Sequence, residues 1–195
     1  MGQRLVISVR HLGEDIARIY YHWSAFSVSA LEEARKVVET IYDDDDMSVR
    51  ALQLRLVRMV EESGGGIDGG KNGTELARIV PMFPKEEFKE SGASRNNGLI
   101  ALSKSGMEHL LYWAEGTVTI DLDEDMIEND VYYDYDLESY MEENNAGQVR
   151  LDDFTDIGVE LSYFPVSYLD HVLEKLQHPY LNAVRHGSSI YQLIE

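Results

Sequence analysis

The chain has 195 residues, 44% hydrophobic and 27% charged, with 15 Gly and 4 Pro, a profile that suits one folded domain spanning residues 1–195 and excludes a fibrous or disordered polymer. It contains no Cys, which removes disulfides, thiolate zinc sites, iron–sulfur clusters and a cysteine nucleophile from consideration. The formal net charge is -19, and it is uneven: residues 1–104 carry 14 basic and 16 acidic side chains, residues 105–195 carry 3 basic and 20 acidic, so the second half repels nucleic acid and anionic membranes and attracts a basic protein groove or a multivalent cation.

The N-terminal stretch Met1 to Arg10 lacks the apolar core of a signal peptide, and no run approaches the roughly 18 apolar residues of a membrane span. The expected location is the cytoplasm. Leu5, Ile7 and Val9 alternate with polar neighbours, a Gly-containing turn follows at His11 to Asp15, and Ile19, Tyr21, Trp23 and Ala25 alternate on the return, which predicts a β-hairpin. Ser29 and Glu32 form a capping box ahead of the stripe Leu31, Ala34, Val38 and Ile41, predicting a helix. The run Asp43 to Asp46 suits a turn into a second helix with core face Val49, Leu52, Leu56, Met59 and Val60, leaving Arg50, Arg55 and Arg58 on its solvated side.

Ser63 to Gly73 is a Gly-rich loop. Short helical pieces broken by Pro81 and Pro84 lead to a strand at 98–103, then to a short helix through Trp113 opened by a capping box of Ser105 and Glu108. Thr117 to Asp123 and Val131 to Leu137 read as the two strands of an acidic hairpin. A further strand at 157–164, a helix at 167–177 with core residues Leu169, Val172, Leu173 and Leu176, and a strand at 189–194 complete the chain. Hairpin-length connections predominate, so the fold class is α+β, an antiparallel or mixed sheet packed on helices.

Three motifs of general chemistry fall short on their own residues. Gly65 to Asn72 matches a phosphate loop as far as Gly70-Lys71, but Asn72 stands where a Ser or Thr must hold magnesium, and the segment before it reads as helix rather than strand. Asp121, Asp123 and Asp125 have the first three spacings of a calcium loop, yet Met126 occupies the obligatory Gly position and Tyr132 the bidentate Glu position. The six histidines include no pair at metal-ligand spacing. Looser cation binding by clustered carboxylates is a structural alternative. A small enzyme or ligand site using His22, Ser24 and Arg95 or Asn96 is another.

The acidic hairpin carries the sharpest reading. With Val118, Ile120, Leu122, Val131, Tyr133, Tyr135 and Leu137 turned to the core, Asp121, Asp123, Tyr132, Asp134, Asp136 and Glu138 face outward. Like charges across a hairpin cost up to about 1 kcal/mol per pair, and no Lys or Arg lies between Lys104 and Arg150 to offset them. Alternate carboxylates recur about every 6.5–7 Å, similar to the phosphate spacing of a nucleic-acid strand, and Tyr132 adds a ring that can stack as a base does.

Met1 to Leu5, Tyr20 to Ala25, and Arg95 to Ser103 through Tyr112-Trp113-Ala114-Glu115-Gly116 resemble small proteins encoded by tailed bacteriophages, a group with no assigned catalytic or binding residues to carry over. The resemblance implies a host-cell setting in which acidic phage proteins bind and disable nucleic-acid or defence enzymes. The expectation is therefore a non-enzymatic interaction protein without cofactor or metal, whose partner is a basic host protein such as a nuclease, bound through Asp121, Asp123, Tyr132, Asp134, Asp136 and Glu138, with no direct contact to nucleic acid or membrane.

Overall fold

The computed structural model describes residues 4–22, 24–25, 27–68, 98–131 and 162–174. Two strands, β1 (Leu5–His11) and β2 (Glu14–Tyr21), form the expected opening hairpin, with Ile7 opposite Ile19. Then come helices α1 (Ser27–Ile41) and α2 (Val49–Glu62), strands β3 (Gly66–Asp68) and β4 (Leu99–Ala101), helix α3 (Lys104–Tyr112), and strands β5 (Gly116–Asp121), β6 (Met126–Asp130) and β7 (Tyr163–Pro165). A 3-10 turn, Val166–Tyr168, and a helical stretch over 169–174 close the described chain.

The strands make one sheet in the order β3-β4-β2-β1-β5-β6-β7. The β1/β5 and β3/β4 pairs are parallel, and the other four are antiparallel. The sheet is thus mixed and the class α+β. Period-two alternation along β1 sends Leu5, Ile7 and Val9 to one face, where they pack with Ile19, Val118, Ile120, Ile127 and Phe164 against Leu31, Ala34, Val37 and Ile41 of α1 and Leu52, Leu56 and Val60 of α2. Val6, Tyr20, Leu99 and Ala101 turn to the opposite face and pack on Met107 and Leu110 of α3. Helix α3 lies there because β4 and β5 run in the same direction, and a parallel return needs a crossover.

Local details differ from the sequence reading in five places, each with a physical reason. Helix α1 starts at Ser27, ahead of the Ser29 capping box, which places Val28 against the core. The cap of α3 is Ser103, whose hydroxyl accepts the Gly106 N–H at 3.2 Å, so Ser105 falls inside the first turn. Part of the Gly-rich segment is strand: β3 aligns Ile67 with Ile100, and the Gly66 N–H donates to the Gly98 carbonyl at 3.2 Å. The first half of the phosphate-loop match is therefore sheet rather than cradle, and the remainder, with Pro81 and Pro84, lies outside the described residues. Arg55 is not a solvated residue of α2, since Nη2 donates to the Ile41 carbonyl at 2.9 Å and joins the two helices. Finally, β5 pairs with Met126–Asp130, because the chain reverses at once through 122–125 with Asp125 at φ 55, and the expected second strand, 131–137, lies outside the described residues from 132 onward.

Gly98 shows why β4 can approach β2 so closely. Its φ is +80, and a side chain there would meet Tyr21 Cε1 at 3.2 Å and Ile19 Cγ2 at 3.3 Å. A register shift between Val9 and Arg10 leaves Ile16 outside the β1/β2 pairing, and Gln53 of α2 takes the Ile16 carbonyl at 2.8 Å.

Candidate functional site

Two turns meet at one end of the sheet. The β1–β2 turn consists of Leu12 and Gly13, with φ values of 56 and 77, the double left-handed geometry that matches strand twist in a two-residue hairpin. Asp123, from the β5–β6 turn, clamps it: Oδ1 accepts the Leu12 N–H at 2.9 Å and Oδ2 the Gly13 N–H at 2.8 Å. His11 Nδ1 stands 3.2 Å from the same carboxylate. The two backbone donors, Gly13 first, hold the Asp123 carboxyl below its ordinary range, against a smaller opposing effect of desolvation and with His11 assisting.

Asp121 is engaged as well. Its Oδ1 accepts the Asp123 and Glu124 N–H groups at 3.0 and 3.2 Å, and Oδ2 lies 3.6 Å from Arg10 Nη1. Arg10 reaches Asp15 at 3.4 Å, and Asp15 holds Arg18 at 2.6 Å. Arg18 in turn donates to Ser8 Oγ at 3.2 Å and to the Met107 carbonyl at 2.8 Å. Two of the six expected partner-binding residues, Asp121 and Asp123, therefore also brace the fold. The other four, Tyr132, Asp134, Asp136 and Glu138, lie outside the described residues.

A different set of acids converges instead. Register puts Glu128 between Thr119 and Tyr163, on the sheet face that also carries Asp121 and Asp130. The Tyr163 hydroxyl donates to Glu124 Oε2 at 3.1 Å. That bond raises the phenol's pKa, as do some desolvation and the charges of Glu124, Asp121 and Glu128. Among the described residues no Lys or Arg forms an ion pair with Glu124, Asp125, Glu128 or Asp130. The stretch without Lys or Arg between Lys104 and Arg150 includes Glu124, Glu128 and Asp130, but the sequence reading did not single them out. Nothing local flagged Tyr163, which arrives from a separate strand.

The three calcium-loop carboxylates diverge. Asp121 turns to its own loop, Asp123 to the neighbouring hairpin, and Asp125 Oδ1 accepts the Tyr42 hydroxyl at 3.3 Å. Among the described residues no group of three or more potential ligands is placed to hold a metal ion.

The alternative site near His22 has a different character. His22 Nδ1 lies 2.9 Å from the Tyr20 hydroxyl, and Ser24 is fully buried, while Arg95 and Asn96 lie outside the described residues. Near His22, Arg4 donates through its backbone N–H and Nη2 to Glu115 at 3.0 and 2.7 Å, with its guanidinium 5.8 Å from the Trp113 ring. Burial lowers the His22 pKa, and Arg4 lowers it further. Burial raises the Tyr20 pKa despite Arg4. Desolvation works to raise the Glu115 carboxyl, but the hydrogen bonds and charge of Arg4 outweigh it and leave it lowered. Glu115 and Gly116 also donate their N–H groups to the Arg4 carbonyl at 2.7 and 3.0 Å. This cluster fastens the start of β1 to the start of β5.

No family model, curated protein or solved structure matches the chain. Among the described residues no helix is long and apolar enough to cross a membrane.

Proposed function

We propose that the protein is a non-catalytic acidic interaction protein that occupies the basic groove of a nucleic-acid-binding or defence protein in a host cell and blocks it. The observation that supports this most is the patch around Tyr163, where Glu124, Glu128 and Asp130 have no Lys or Arg partner among the described residues. Elsewhere the same sheet pairs its charges closely, as in the chain from Asp121 through Arg10 and Asp15 to Arg18. Carboxylates left without cations add repulsion to the fold, and a basic partner relieves it. Alternate positions on β6 repeat about every 6.5–7 Å, which suits a groove shaped for phosphates, and the half-exposed Tyr163 ring offers an aromatic surface beside them. The resemblance to phage proteins supplies the host setting.

The test is retention of proteins from a bacterial lysate on the immobilised chain, with elution by salt and separately by duplex DNA. A specific nucleic-acid-binding protein should be released by DNA, and should not bind a chain carrying Glu124→Gln, Glu128→Gln and Asp130→Asn. Retention unaffected by those three changes, or release by salt but not DNA, overturns the proposal.

A further inference from the structure

Beyond the sheet's acidic face, on its other side, lies a groove of about 660 Å³ between α1, the β5–β6 turn and the segment after β7. Val38, Met47, Leu122, Val166 and Leu169 supply its apolar surface, and Glu39, Asp125 and Asp170 its carboxylates. Among the described residues Arg35 is the only cation in the lining, and it already lies between Glu39 and Asp170, 3.8 Å from each.

Three features point to a cationic occupant with an apolar stem. The Asp125 carboxylate is fixed in place: its residue sits at φ 55, its carbonyl accepts the Val166 N–H at 3.0 Å, and Tyr42 holds Oδ1 at 3.3 Å. Oδ2 remains open to a second donor among the described residues. The half-exposed Tyr42 ring lies beside it, a surface that attracts a guanidinium. The groove also meets the C-terminal end of α1, whose last turn contains no basic residue of its own, and a helix C-terminus favours a positive charge. Arg55 reaches the Ile41 carbonyl from α2, outside the groove lining.

We propose that this groove receives an arginine side chain from an extended segment of the partner, with its methylenes on Val38, Leu122 and Val166 and its guanidinium between Asp125 and the Tyr42 ring. The inference rests on the reading of the chain as a binder of basic proteins, and it adds a specific anchor beside the diffuse charge of the acidic face. Arginine is favoured over lysine because its planar fork can engage a carboxylate and an aromatic ring together.

The experiment is a methyl and amide NMR titration of the full chain with a blocked glycine pentapeptide bearing a central arginine, against the same peptide with citrulline, its uncharged isostere. The arginine peptide should give saturable shifts at the Val38, Leu122 and Val166 methyls, and citrulline should not. Asp125→Asn, which tolerates the left-handed backbone, should weaken binding by about tenfold or more, since a hydrogen bond to a charged group is lost. Unchanged amide shifts elsewhere will show that this variant is folded, and Asp170→Asn gives a second reading on an exposed side chain. Shifts confined to Glu124, Glu128 and Tyr163 overturn the groove while leaving the acidic-face proposal standing. Equal binding of citrulline, concentration-dependent groove shifts without peptide that signal a second copy of the chain, or no shift at all also overturn it. Loss of lysate retention in the triple acidic variant with an intact groove titration separates the two sites from the other direction.

Discussion

Reversing one charge on the open sheet face should make the protein more stable while weakening its partner binding. Glu128 has two acidic neighbours on that face: Asp130, two residues along β6, and Asp121, diagonal across the β5/β6 register. Both separations are about 7 Å from strand geometry. At 7 Å in water two unit charges interact by about 0.6 kcal/mol, so Glu128→Lys turns repulsion into attraction worth about 1.2 kcal/mol per neighbour before screening. With a Debye length of about 8 Å at physiological ionic strength, the two neighbours together leave at most about 1 kcal/mol, and about 0.5 kcal/mol if Arg10, 3.6 Å from Asp121, cancels that neighbour's share. At 1 M salt, with a screening length of about 3 Å, the gain falls to about 0.2 kcal/mol. Urea unfolding followed by tryptophan fluorescence, at both ionic strengths, measures each value. A variant no more stable than the parent at low salt, or a gain that does not shrink with salt, refutes the placement of Glu128 between Asp121 and Asp130 as a site of net repulsion. Stability and binding moving together would refute the view that the acids are held for a partner.

The clamp between the two turns can be tested at both ends. Leu12 is 72% exposed and has φ 56, a conformation that strains an L side chain other than Asn, Asp or Gly, so Leu12→Asn should raise stability by about 0.5–1 kcal/mol in the same urea assay. Asp123→Asn should lower the melting temperature at neutral pH. The Asp123 carboxyl is held below its ordinary range, so its contribution is present above the unfolded value, about 4, and is lost as pH falls through the lower folded value. The gap between parent and Asp123→Asn should therefore narrow in acid, and a gap that widens would overturn the assigned hydrogen bonds.

The elements with a strong hydrophobic period were legible in the sequence. Leu5, Ile7 and Val9 against Ile19 fixed the first hairpin, and Leu52, Leu56 and Val60 marked the buried face of α2. The β6 strand was hidden because Met-Ile-Glu-Asn-Asp contains residues depleted in strands, while 131–137 has the stronger alternation of apolar and polar residues. Tertiary pairing with β5 and β7 overrides that local preference. The roles of Asp121 and Asp123 were hidden for another reason. Each looks like a surface acid until the fold brings Arg10, Leu12 and Gly13 to it from 110 residues or so away, and long-range hydrogen bonds leave no periodic trace. Charge segregation, which needs no register, was visible at once.

The position of β1 sets a timetable for synthesis. Among the described strands it is made before its partners, and it lies inside the sheet, with β2 on one edge and β5 on the other. The first edge can be closed within a few residues, but the second waits for Gly116–Asp121. At 5–20 residues per second, that interval is about 5–20 s. During it, Leu5, Ile7 and Val9 belong to a hairpin with an unpaired backbone edge, the kind of surface that recruits other nascent strands. Helices α1 and α2 emerge within the wait and can cover the apolar face early. The hydrogen-bonding edge must stay unpaired or be held by a chaperone until its distant partner is made.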